Sequence, residues 1–230
     1  SKRLRNKNIL KLNEYPLLAY SINVALKSKV YSHIFCITDS IKYRNIAIKY
    51  GANFFTIRPK FTSTSKASDD QWVKWAISEC ENKNIDFDYF SILRPTSPFR
   101  TIEMIKKSLT LIKRNKEADS VRAVEKTKIH PGKIWKIKNN KMLPILKKCN
   151  KRKIPWHSCQ YADLPTYYAQ NASLETIKKK SFKRYKLISG KKIIPLITNS
   201  VEGFDINTKI DYEIAKIIIQ KKPIKISLKK

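Results

Sequence analysis

Acidic residues are scarce in this 230-residue chain: 18 Asp and Glu stand against 49 Lys and Arg, a formal net charge of +31. Arginine is scarce too, since only ten of the 49 basic residues are arginine. Proteins that read phosphate or bases lean on the bidentate arginine fork. Here lysines are scattered over every segment, so the charge reads as a compositional bias and not as a polymer-binding stripe, and no stable nucleic-acid partner is expected. The same charge would still draw small anions toward a cleft. Cysteine is limited to Cys36, Cys80, Cys149 and Cys159, with no CxxC pair. Cys149, His157 and Cys159 lack a fourth ligand at a usual zinc spacing, which leaves thiols idle in a reducing compartment. No apolar run approaches the roughly 20 residues of a membrane-spanning helix. The opening Ser1-Lys-Arg-Leu-Arg has no apolar stretch behind its charges, so no secretory signal is read there and a cytoplasmic location is expected.

What is present is a core. Hydrophobic residues make up 42% and aromatics 10%, enough for one large domain, alone or carrying a smaller arm. Helical spacing covers Leu17 to Leu26, and a short strand, Ile34 to Ile37, closes on the polar turn Thr38-Asp39-Ser40. A helix from Ile41 to Tyr50 stops at Gly51, and Ala52 to Ile57 reads as the next strand. Arg58 to Ser68 is a Ser/Thr/Lys loop before a helix from Asp69 to about Cys80. Tyr89 to Leu93 is a strand, Thr101 caps a helix to about Lys113, and Ser120 to Val124 is a further strand. From Lys126 to Tyr168 the alternation breaks down among four prolines and many aromatics, so 126–168 is expected to be an inserted arm. Strands return at Ala169 to Ile177 and Lys192 to Ile197. A last helix, Thr208 to Gln220, is capped by Asn207 or Thr208 with Asp211 in its first turn.

Strands alternating with helices predict an α/β fold with a mainly parallel sheet, whose ligand sits beyond the carboxyl ends of the strands. Three polar segments fall at such ends: Thr38 to Ser40, Arg58 to Ser68, and Arg94 to Ser97. The basic opening Ser1 to Asn8 contains no glycine for a backbone phosphate cradle, and alone it reads as a solvated terminus. Leu93-Arg94-Pro-Thr-Ser-Pro-Phe-Arg100 reads as a rigid turn feeding a helix, with hydroxyls and two arginines aimed at the strand ends. In Glu202-Gly-Phe-Asp-Ile-Asn-Thr208, Asp205 and Asn207 point the same way if extended. That suits a hard divalent cation taking its other oxygens from phosphate and water, or else simple helix capping by Asn207.

Taken in order, these segments resemble the acylneuraminate cytidylyltransferases. The family opening is a strand followed by Ala-Arg-x-x-Ser-Lys-x-x-x-x-Lys-Asn, and this chain starts at that Ser and continues with Lys2, Lys7 and Asn8. Pro16-Leu17-Leu18-Ala19-Tyr20, Thr38-Asp39-Ser40, Arg58-Pro59, Ala67-Ser68 and Pro95-Thr96-Ser97-Pro98-Phe99-Arg100 follow in the family's order. His130-Pro131, Gln170-Asn171-Ala172-Ser173 and Phe204-Asp205-Ile206-Asn207-Thr208 complete the match.

The resemblance implies a Rossmann-like, GT-A-like nucleotidyltransferase fold of three layers. It implies transfer of CMP from CTP to the anomeric hydroxyl of a nonulosonic 2-keto acid sugar, with magnesium as cofactor. By position, Ser1, Lys2, Lys7 and Asn8 would hold the triphosphate, with Lys2, Lys7 and Asp205 carrying the chemistry. Arg58, Ala67 and Ser68 would line the nucleotide pocket, largely through backbone. Arg94, Thr96, Ser97, Lys133, Gln160, Tyr168 and Asn171 would face the sugar, Lys133 toward its carboxylate. Asp205 and Asn207 would sit on the magnesium, and the arm would cross to a second subunit of a homodimer.

Four departures qualify the match. The family's first strand and its arginine would precede Ser1, so the chain reads as truncated. Asn207 replaces a second Asp of many relatives. Arg94 replaces a Gln, and Ala169 an Arg, which leaves the sugar open. A Kdo-type cytidylyltransferase, a CTP-binding relative without turnover, and a basic nucleic-acid-binding protein are the rival readings.

Overall fold

The computed structural model describes residues 4, 6–64, 67–146 and 154–226. A small antiparallel ribbon opens it, β1 (Lys11–Leu12) on β2 (Tyr15–Pro16), turning through Asn13 at φ 55°. The ribbon feeds α1 (Leu17–Ser28), which buries every residue from Leu17 to Ala25. A helix apolar on most of its circumference belongs in the interior, and α1 contributes to three separate core clusters. Next come α2 (Ile41–Lys49), capped by the Ser40 hydroxyl, and α3 (Asp69–Asn82), with Asp69 and Asp70 in its first turn. They are followed by β3 (Tyr89–Ile92) and α4 (Ile102–Arg114), where the Thr101 hydroxyl accepts from the Met104 N–H. β4 (Ser120–Lys126) then leads into the arm.

Within the arm, β5 (Trp135–Lys138) pairs with β6 (Lys141–Pro144) across Asn139 and Asn140, both at positive φ. That is the two-residue hairpin turn that asparagine favours. The chain returns as β7 (Tyr168–Lys178), α5 (Lys179–Tyr185), β8 (Ile193–Ile197) and α6 (Lys209–Lys221).

The main sheet has the order β3-β7-β4-β8. β4 and β8 are parallel, while β7 runs against both β3 and β4. Three strands therefore share one direction and β7 reverses. The arm explains the reversal. Lys126 pairs with Tyr168, and Thr127 N–H donates to Tyr167 O at 3.0 Å. The arm thus leaves and returns at one point, as the loop of a long hairpin, and a strand starting where its neighbour stopped must run back.

Helices cover both faces. α1 and α4 pack Val24, Met104, Ile105 and Ile112 on Val121, Ala123, Leu174 and Leu196. α3 and α5 pack Val73, Ile77 and Phe182 on Ile92 and Ile177 of the other face. The segments expected as strands at Ile34 to Ile37 and Ala52 to Ile57 run side by side. They share only the parallel bridge Phe35–Asn53 and hydrogen bonds from Asn53 N–H to Ile34 O and from Arg58 N–H to Thr38 O. Among the described residues no third strand pairs with them, and a lone parallel pair forms a weak ladder.

Candidate functional site

Two loops meet beyond the carboxyl ends of β3 and β8. The first, residues 94–100, leaves β3; the second, residues 204–208, precedes α6. They are locked by Ile206 N–H donating to Thr96 O at 2.9 Å, and by the Phe99 and Phe204 rings 6.1 Å apart. Arg100 fastens the first loop from beneath. It is 3% exposed, and its guanidinium donates to Ser173 O, to Ser21 Oγ at 3.2 Å and to Arg94 O at 3.1 Å. Burial pushes its pKa down to about 9, against the pull of the Tyr31 and Asp205 charges. Arg100 is thus a rivet of the loop, while Arg94 is the arginine that faces the cleft.

The second loop carries a polar chain. Lys7 Nζ donates to Asn207 Oδ1 at 3.1 Å, and Asn207 Nδ2 donates to Asp205 Oδ2 at 2.6 Å. Asp205 Oδ1 is buried with no hydrogen-bond partner. Below them a capping box closes α6. Burial pushes the Asp211 carboxyl up, but the Asn207 and Thr208 N–H groups, the Thr208 hydroxyl and the Lys7 charge together hold it below the ordinary range. Lys7 sits on a single 3-10 turn, Lys7–Ile9, which also carries the half-buried Asn8. Ser1 and Lys2 lie outside the described residues.

Among the described residues no group of three or more His, Cys, Asp or Glu is placed to hold a metal. A cation here would take at most one or two oxygens from the protein. The orphaned, buried Asp205 oxygen fits that part, with phosphate and water supplying the remainder.

Along the nucleotide loop, Arg58 donates its backbone N–H to Thr38 O at 2.9 Å, and its Nε is buried without a partner. Ala67 N–H donates to Thr64 O, and exposed Ser68 begins α3 without a side-chain cap bond. Asp69, the next residue, reaches Arg94 at 2.5 Å and the Trp72 indole N–H at 2.7 Å. Burial raises its pKa, but the Arg94 and Trp72 hydrogen bonds and the Arg94 and Arg58 charges outweigh this and lower it.

Arg94 also lies 3.5 Å from buried Glu175, which Arg122 holds at 3.0 Å from β4; Arg122 in turn donates to Gln170 Oε1 at 3.1 Å. Asp69, Asp70, Arg94, Arg122, Gln170 and Glu175 line most of a cavity of about 280 Å³. Sequence reasoning missed Asp69, Arg122, Gln170 and Glu175 as site residues. The available signal was a charged residue set between apolar neighbours in each of two strands, Arg122 between Val121 and Ala123 and Glu175 after Leu174.

Asn171 is aimed by an irregularity of β7. Arg122 pairs with Glu175, but Val124 pairs with Gln170, so residues 171–174 bulge out of the ladder. Bulges re-aim side chains beside active sites. Here Asn171 Nδ2 donates to Thr198 Oγ1 at 3.0 Å, and its Oδ1 accepts from the Ser173 N–H and hydroxyl. At Gly203 an added side-chain carbon would sit 2.3 Å from Glu125 Oε2 and 2.7 Å from Asn171 Nδ2, so a larger residue would push those two side-chain ends aside. Thr96 and Ser97 are buried, with Ser97 Oγ unpartnered.

The remaining candidates belong to the arm and its root. Lys133 Nζ donates to Cys159 O at 2.9 Å and His157 O at 3.2 Å and lies over the Tyr161 ring. Gln160 is exposed beside it, and Tyr168 is exposed at the root. The structure thus groups Lys133 with Gln160 inside the arm and leaves both apart from the two strand-end loops. Cys149 lies outside the described residues. The His157 ring packs on Trp135, and the Cys159 thiol faces Pro155 O.

Comparison with known proteins returns a family. Residues 1–188 match the family model described as Cytidylyltransferase. Over 96% of its length the chain is 31% identical to the N-acylneuraminate cytidylyltransferase of Escherichia coli O18:K1:H7, and it spans 50% of that protein. It is 28% identical to the CMP-N,N'-diacetyllegionaminic acid synthase of Legionella pneumophila, covering 96% of this chain and 92% of that one. A solved structure of CMP:2-keto-3-deoxy-manno-octonic acid synthetase complexed with CTP superposes with a TM-score of 0.67. That match covers 96% of this chain and 94% of the other at 10% identity, a likeness of fold.

Proposed function

For a chain that belongs to the cytidylyltransferase family, we propose transfer of CMP from CTP to the anomeric hydroxyl of a nonulosonic, sialic-acid-like 2-keto acid sugar, with release of pyrophosphate. The observation that carries the reading is the Lys7–Asn207–Asp205 chain at the strand ends, where the Asn207 amide links an ammonium to a carboxylate that has one oxygen unsatisfied. A triphosphate needs both kinds of group, one for its own charge and one for the cation it brings.

The sugar hydroxyl attacks the α-phosphorus in line, forming the new P–O bond as the bond to pyrophosphate breaks. Little covalent work falls to the protein, which binds and positions. Lys7 and Asn8 face the phosphates, and Lys2 is given the same role from its place in the family motif. Arg58 and the backbone of Ala67 and Ser68 line the base and ribose. Arg94, Thr96, Ser97, Tyr168 and Asn171 form the sugar side, joined by Lys133 and Gln160 of an arm. Magnesium held at Asp205, beside Asn207, would neutralise charge on the phosphate oxygens.

The arm supplies the rest through a homodimer, because its hairpin turns Ile137 and Met142 to solvent at 72% and 59% exposure. Large exposed apolar groups gathered on one arm are the mark of a protein partner. The enzyme would work in the cytoplasm, on CTP and a free sugar acid.

Calorimetry with CTP and magnesium tests the nucleotide half. Saturable binding that survives moderate salt is expected, weakened by at least tenfold in Asp205→Ala. Binding of DNA or RNA in preference to CTP, with a steep salt dependence, would replace this reading by the polymer-binding one.

A further inference from the structure

The orientation of one side-chain amide is fixed by its neighbours. A lysine ammonium only donates and a carboxylate only accepts. Asn207 must therefore turn Oδ1 to Lys7, at 3.1 Å, and Nδ2 to Asp205, at 2.6 Å. Its backbone is held as well, since Asn207 N–H donates to Asp211 Oδ2 at 2.9 Å. The one atom of Asn207 that a hard cation would choose faces an ammonium, and the side turned to the carboxylate is a pair of N–H donors. Asp205 meanwhile keeps Oδ1 buried and unpartnered.

We propose that Asn207 is a positioning residue and not a cation ligand. It is a neutral strut that ties Lys7 to Asp205 and leaves Asp205 Oδ1 as the one oxygen of this loop offered to the cation. The inference rests on the reading of Asp205 as the residue that meets the cation. Its physical content is a comparison with aspartate at the same place. Two carboxylates at the Asp205–Asn207 separation repel and call for a cation or a proton between them, a demand that the Lys7 ammonium beside residue 207 would meet only in part. The amide removes that demand, so the loop at 204–208 keeps its shape before cation and nucleotide arrive. Cation binding then completes the site without having to fold it.

The test is thermal melting of the full chain without nucleotide or sugar, in EDTA and with Mn²⁺, together with Mn²⁺ affinity. Asn207→Ala removes two hydrogen bonds to charged partners and is expected to melt about 3 to 6 °C lower in EDTA. Mn²⁺ does not restore that loss. Asn207→Asp is expected to fall at least as far in EDTA, to recover to the wild-type temperature in Mn²⁺, and to bind Mn²⁺ at least tenfold tighter than wild type. A merely structural asparagine would give no such cation rescue. If Asn207→Ala melts with wild type in EDTA yet binds Mn²⁺ tenfold more weakly, Asn207 is a ligand and the proposal is wrong. Because the measurement uses neither CTP nor sugar, it stands apart from any failure of turnover.

Discussion

The strand-end cleft and the arm draw on the same lysine-rich composition and place it in opposite ways. In the cleft, charged groups are inside. Arg100 is almost wholly buried on three oxygens, and Glu175 is buried between two arginines. In the arm, apolar groups are outside, with Ile129, Ile137, Met142 and Ile145 all exposed, while Lys133 is held by two backbone carbonyls. A buried charge stays only where its partners are fixed, so the cleft is rigid by necessity. An exposed apolar face waits for something to cover it. Damage to the cleft should therefore show as lost stability, and damage to the arm as lost association.

The sharpest way to break the comparison is Arg100→Ala. It removes three hydrogen bonds and leaves Ser173 O without its donor, while Arg94 O keeps the Ser97 N–H and the Ser21 hydroxyl. The expected cost is about 3 kcal/mol, read by urea denaturation. Equal stability of mutant and wild type would show that the cleft is not held from beneath.

Asp119 extends the comparison to the base of the sheet. Burial raises its pKa, but Ser181 Oγ at 2.6 Å and the N–H groups of Lys191 and Lys192 at 2.8 and 2.9 Å hold the carboxyl below its usual value. A depressed carboxylate stabilises the fold above its unfolded value. That stability is lost as pH falls below about 4, through the lower folded value. Asp119→Ala should cost about 2 to 3 kcal/mol at neutral pH, and its stability should fall less steeply than wild type in acid denaturation.

Arg94→Gln should cost only about 1 kcal/mol, because Arg122 still pairs with Glu175 and the Asp69 side chain is partly exposed. Its larger effect is expected in which sugar acid is turned over, read from a panel of acceptors. The smallest stability change, within about 0.5 kcal/mol, is expected for Ile137→Asp with Met142→Asp. Sedimentation should show wild type as the proposed dimer and the doubly changed chain as a monomer. A dimer unmoved by them would take the arm out of the interface.

Periodicity and caps made five helices legible, from α1 to α4 and α6, because each carries a Ser, Thr or Pro at its start and an apolar stripe behind it. α5 was missed because Phe182 is its one large buried side chain among lysines. The β5–β6 hairpin was missed although Trp135-Lys-Ile-Lys and Lys-Met-Leu-Pro flank Asn139-Asn140, a turn signal hidden by the surrounding prolines. The direction of β7 could not be read locally, since it depends on where the arm returns. The site divides in the same way. Asp205 and Asn207 share a side because they are two residues apart in extended chain, which sequence spacing can show. Arg122 and Glu175 meet through a cross-strand register fixed by the β7 bulge, which spacing cannot show.

Pyrophosphate release from CTP and magnesium, followed across sialic, legionaminic, pseudaminic and Kdo-type acids, tests the central claim most directly. Release with one nonulosonic acid, reduced at least a hundredfold in Asp205→Ala, is the predicted result. No release with any acid, from a chain that also fails to bind CTP, would contradict it.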